Sequence, residues 1–126
     1  MFGSNRLYTA INIDSVTGLV DAFGSGHAIF PSTLIPESFT GNEVINFYRT
    51  GTNGFGLGYH DYTYNINCRS ELELNSLVMA SAVKDAINRV AVENGFTYCR
   101  DILQTIPPQD ETDLYNTPVT VTIKTK

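Results

Sequence analysis

The chain has 126 residues, 42% of them hydrophobic, and a formal net charge of −5. That length points to one domain over 1–126, large enough to bury a core without staples. The acidic balance, with eight scattered Lys and Arg, argues against a nucleic-acid module. No apolar run approaches the ~20 residues that span a bilayer.

The first residues, MFGSNRLYTA, lack the charged-then-apolar pattern of a secretory leader, so assembly in a cytoplasm is the expectation. Two cysteines, Cys68 and Cys99, are too few for a disulfide scaffold. They are expected as reduced thiols inside strand-like segments.

Residues 5 to 23 place Leu7, Tyr8, Ile11, Val16, Leu19, Val20 and Phe23 at spacings of three and four. That spacing predicts a helix with a break near Asp14 and a second short turn capped by Asp14 or Ser15. Gly24, Ser25 and Gly26 end it. HAIFPSTLIPES contains Pro31 and Pro36, which lack the N–H of a central strand, so an extended edge or loop is expected. VINFYRT (44–50) is β-branched and aromatic and reads as a strand. GTNGFGLG (51–58), with four glycines, reads as a flexible connection.

DYTYNINCR (61–69) alternates Tyr62, Tyr64, Ile66 and Cys68 with Thr63, Asn65, Asn67 and Arg69. A period of two makes this the clearest strand in the chain, with an apolar face and a polar face that is solvated or meets a neighbour. Ser70 and Glu73 have capping-box spacing. A helix is expected from about Glu71 to Val92, with Leu72, Met79, Val83, Ala86 and Val90 on its buried stripe and Val78, Ala82 and Ile87 widening it. Asn94 and Gly95 supply a left-handed stop.

FTYCRDILQTI (96–106) is a strand candidate and PPQDETDLYN (107–116) an acidic connection. TPVTVTIK (117–124) closes as a strand with Val119, Val121 and Ile123 on one face. The order is α+β: an antiparallel sheet of about four strands packed against one long helix, with a short N-terminal helix.

Chemistry is harder to find. His60 and Cys68 are eight positions apart, about 26 Å along an extended strand, and Asp61 points to the other face, so three ligands cannot converge on one metal. An enzyme or ligand site at these three residues is the weakest of the readings. GFGLG lacks the Lys–Ser/Thr pair and the strand–loop–helix context of a phosphate cradle. DETD (110–113) lacks the ligand alternation of a calcium loop. His27 has no partners for a nucleophile triad. No catalytic, cofactor or metal residue is therefore assigned. The segments 51–60 and 107–116 are instead candidate contact loops, with Phe55, Leu57, Tyr59, His60, Gln109, Asp110, Glu111 and Asp113 as interface residues.

The succession IFPSTLIPES, VINFYRTGTNG, YTYNINCRS, LNSLVMASAVKDAINRV and YCRDILQTIPPQDETDLYNTPVTVTI resembles the tail-terminator (tail-completion, head–tail joining) proteins of long-tailed bacteriophages. Ile29, Phe30 and Pro31 match the family's "I-Y/F-P" segment. Leu77, Ala80, Val83, Ala86 and Ile87 match its helix. The resemblance covers nearly the whole chain, though the matching motifs are packing patterns. It implies a structural virion protein at the tail–head junction, forming a ring, commonly a hexamer, on the end of the tail tube. That ring ends tube polymerisation and joins tail to head. The implied partners are the chain itself, the tail tube protein and the head connector or head-completion protein. DNA would pass only as cargo, with no cofactor, no membrane and no reaction. A related station, as another head–tail connector or head-completion protein, is the alternative.

Overall fold

The computed structural model describes residues 2–55, 59–96, 104–108 and 114–125. Helix α1 (Phe2–Ile11) and the single turn α2 (Asp14–Thr17) open the chain, with the expected break between them. Residue Ile13 precedes α2 without a side-chain cap, and Asp14 sits inside its first turn instead of capping it. A tight hairpin follows, β1 (Ala22–Phe23) against β2 (Gly26–His27). Gly24 turns it with φ +59°, which a side chain rarely adopts.

The main sheet has the order β3 (Ile29–Phe30), β4 (Val44–Phe55), β5 (Tyr59–Ser70) and β6 (Tyr115–Thr125). Its three long strands are antiparallel, and β3 joins the edge in parallel. The sheet is therefore mixed, in an α+β plan with one long helix, α3 (Glu73–Arg89), and a short N-terminal helix. The single turn α4 (Ala91–Asn94) ends at Gly95, φ +71°, which supplies the expected left-handed stop.

The structure redraws several boundaries. Residues 51–55 of the expected 51–58 connection belong to β4, and Tyr59 and His60 to β5, while residues 56–58 lie outside the described residues. Antiparallel pairing from Gly51↔Thr63 to Phe55↔Tyr59 outweighs the poor strand preference of glycine, and the irregularity at Thr50 absorbs one extra residue. The Ser70–Glu73 capping box does not form: Ser70 ends β5, and its Oγ accepts the Leu72 N–H at 3.2 Å. Helix α3 stops at Arg89, short of Val92.

The final strand is longer than the expected 117–124, adding Tyr115, Asn116 and Thr125, and it keeps Pro118 within it. Proline survives there for a geometric reason. Asn116 exchanges both backbone hydrogen bonds with Ile106, so its backbone groups point away from β5. Pro118, two residues on, turns its missing N–H to the same outer edge. Of the strand expected at 96–106, Phe96 bridges Ile123 and Ile106 bridges Asn116. Residues 97–103, Cys99 among them, lie outside the described residues.

The main core lies between α1, α2, α3 and one face of the sheet. Leu7, Ile11 and Val16 meet Ile45, Phe47, Ile66, Val121 and Ile123, with Met79, Val83 and Ile87 from α3. Tyr64, Ile66 and Cys68 are buried as their alternation predicts. The buried stripe of α3 is narrower than expected: Ser76, Met79, Ala80, Val83, Ala86 and Ile87. Leu72 and Val78, expected on that stripe, are exposed instead, Val78 lying on the side of the helix away from Met79 and Val83. A smaller cluster, Ala28, Phe30 and Val44 with Phe23 and Phe39, covers the β3 end of the opposite sheet face. Its three phenylalanines meet edge to face at 5.1–6.1 Å between centroids.

Candidate functional site

Strand alternation sends every second residue of β4, β5 and β6 to the side away from the helices. There it assembles Asn46 and Tyr48, then Thr63, Asn65, Asn67 and Arg69, then Asn116, Pro118, Thr120 and Thr122. The register brings them together: Asn46 lies opposite Asn67, Tyr48 opposite Asn65, and Asn67 opposite Pro118.

The side chains form three hydrogen-bonded groups side by side on this face: Tyr48, Asn65, Asn67 and Asn116; Arg69 with Asn46; and Thr63 with Thr122. Asn65 Nδ2 donates to Tyr48 Oη at 3.3 Å and to Asn67 Oδ1 at 3.2 Å. Asn116 Nδ2 donates to the same Asn67 Oδ1 at 3.0 Å. Arg69 Nε donates to Asn46 Oδ1 at 3.2 Å, while Asn46 Nδ2 donates to the Ser32 carbonyl at 3.0 Å. Thr63 and Thr122 share a hydroxyl contact at 3.2 Å. Asn46 and Asn67 are buried within this layer, so their amides are held rather than waving in solvent. Asn116 Oδ1 is buried without a partner among the described residues, an acceptor left open inside the network.

Arg69 is the only cation in that set. Burial pushes its pKa down, and nearby Tyr48 pulls it the other way. Arginine keeps its charge through such a shift. Among the described residues no carboxylate stands within ion-pair distance of it.

The residues singled out from sequence fall elsewhere. Phe55, Tyr59 and His60 sit where β4 and β5 meet at one end of the sheet, Phe55 paired with Tyr59 and Gly54 with His60. Their side chains lie outside what the structure describes, as do Leu57, Gln109, Asp110, Glu111 and Asp113 altogether. His60 and Cys68 lie near opposite ends of β5. Cys68 is fully buried, and burial raises its thiol pKa well above the ordinary value, which leaves it unreactive at neutral pH. Among the described residues no group of three His, Cys, Asp or Glu is placed to hold a metal ion. No described helix is long and apolar enough to cross a membrane.

A second buried polar cluster joins the sheet to α3. Ser76 Oγ donates to the Cys68 carbonyl at 2.7 Å and meets Thr117 Oγ1 at 2.8 Å, and Thr105 Oγ1 meets Thr117 at 2.9 Å. Every hydroxyl there is satisfied from within, which makes it a structural clamp. The polar groups on the helix-free face are different in kind: they are ordered, partly open, and carry a charge that no carboxylate among the described residues meets. Sequence reasoning had isolated half of it, Thr63, Asn65, Asn67 and Arg69, as a polar strand face. Asn46 and Asn116 could be found only through the register.

Compared with known proteins, the chain matches no family model, and no curated protein shows significant similarity to it.

Proposed function

We propose that this chain is a structural assembly protein of a long-tailed phage that forms a ring, expected as a hexamer, on the end of the tail tube. In this role it ends tube polymerisation and joins the tail to the head, at the tail–head junction of the virion, without catalysis. Two things support the reading. One is the whole-chain order of motifs that resembles the tail-terminator family. The other, which carries it, is the helix-free sheet face. Asn46 and Asn67 are fixed there by their neighbours, and Arg69 is held ready by Asn46. A preordered polar face loses little entropy when a protein partner covers it.

The test is electron microscopy of lysates from a virus lacking the gene. Overlong headless tails beside filled tailless heads are the expected result. Normal-length tails with leaky or empty heads would move the protein to a connector or head-completion station. A normal burst of infectious particles would overturn the assembly role altogether.

A further inference from the structure

Helix α3 carries a surface that the chain's own core does not use. Leu74 is 70% exposed, Val78 43% and Leu77 37%. Their spacing puts all three on one stripe along the first two turns, facing away from the buried Ser76, Met79 and Val83. Glu73, also exposed, heads the stripe. A contiguous apolar patch rimmed by charge is the pattern of a protein contact. On the other side of the sheet stands Arg69, positioned by Asn46 and unmatched by any described carboxylate.

We infer that the first two turns of α3 dock on the helix-free sheet face of a second copy of the chain, with Glu73 of one copy reaching Arg69 of the next. This inference rests on the ring reading and gives that ring its contact. Charge complementarity selects the occupant. The sheet face offers a half-buried guanidinium, and the helix offers a carboxylate beside leucine and valine. On the same face as Arg69, Pro118 lies opposite Asn67 and Tyr48 and Thr120 opposite Asn65, two and four positions along β5, where their apolar atoms can receive leucine and valine. Among the described residues Glu73 and Arg69 form no ion pair within one copy, and α3 and the polar groups occupy opposite sides of one sheet. Contact between two different patches on opposite sides is head-to-tail, and such contacts close into rings or run on as filaments.

The experiment is sedimentation velocity of the full chain over a rising concentration series, with thermal melts in parallel. The variants are Arg69→Glu, Glu73→Arg and Leu74→Glu. Wild-type protein is expected to form a closed multi-subunit species. Each charge variant should self-associate on the order of a hundred-fold more weakly. An equimolar mixture of the two charge variants should recover assembly, because each reversed face then meets a reversed helix. Leu74→Glu should melt like wild type and lose assembly.

Charge variants that assemble as wild type does, or a mixture no better than its components, overturn the docking. Those results leave the ring reading standing, since the tails in the gene-deletion lysate judge it separately. Wild-type protein that stays monomeric at every concentration also overturns the docking. Should Arg69→Glu fail to fold, Glu73→Arg and Leu74→Glu still decide, because both change exposed helix positions.

Discussion

The two faces of the central sheet are built from the same three long strands, yet they are held by different forces. On the helix side, Ile45, Phe47, Ile66, Val121 and Ile123 are buried against α1 and α3. Water is driven out there without regard to direction, and close packing supplies the shape. On the far side, Asn65, Asn67 and Asn116 are joined by directed hydrogen bonds and Asn46 by others to Arg69 and the Ser32 carbonyl, and the only apolar cover described is the phenylalanine cluster at the β3 end. The difference teaches how a small sheet serves two purposes. The packed face determines whether the chain folds, and the bonded face presents a fixed pattern of donors and acceptors.

The sharpest way to break this comparison is to remove atoms from the packed face. Phe47→Ala should cost about 3–5 kcal/mol, read as a fall in urea midpoint at unchanged slope, since Phe47 is fully buried and its cavity cannot refill. A loss below about 1 kcal/mol would mean that the helix layer is not tightly packed on the sheet.

On the bonded face, Asn67→Ala removes the acceptor shared by Asn65 and Asn116. About 1–3 kcal/mol of destabilisation is expected, because two half-buried donors lose their shared acceptor. A double-mutant cycle with Asn116→Ala should show coupling of about 0.5–1.5 kcal/mol. Additive behaviour would show that the network is a row of independent contacts.

Beyond that network, Thr120→Ala is expected to stay within about 0.5 kcal/mol, as Thr120 is exposed at the strand's solvent side. A larger loss would add Thr120 to the bonded groups of that face.

The smallest effect lies at the edge of both faces. Desolvation, then Asp21, then Glu71 raise the pKa of Glu43. The folded chain therefore binds this proton more tightly than the unfolded chain does. The resulting penalty is present above the folded pKa and disappears as pH falls through it and below the unfolded value. Glu43→Gln should stabilise the protein at pH 7 by a few tenths of a kcal/mol, roughly, after allowance for solvent screening. Near pH 3 it should do nothing. Equal urea midpoints for the two proteins at both pH values would remove the electrostatic argument.

Much of the plan was legible in the residues. The alternation in DYTYNINCR has Tyr64, Ile66 and Cys68 inside, and α3 runs through the helical spacing of Met79, Val83, Ala86 and Ile87. Gly95 ends the helical segment because only a residue without a side chain adopts its left-handed turn at no cost. Local rules misled where long-range pairing outweighed them. Four glycines in 51–58 read as a loop, yet β5 holds Gly51 and Gly54 in the ladder. Ser70 and Glu73 have capping spacing, but Ser70 is held as the last residue of β5 by its partner Tyr115.

The sequence by itself determined the period of each element, and with it which residues of a strand share a face. Period is a local property, set by backbone geometry and the apolar pattern. Only the tertiary structure decided the polar groups of the far face. Asn46, Asn67 and Asn116 are 21 and 49 residues apart along the chain, and nothing local in any one strand marks the other two. Strand order and register bring them together, and these follow from burying the opposite face. The face that holds the candidate contact is thus arranged by the face that does not touch it.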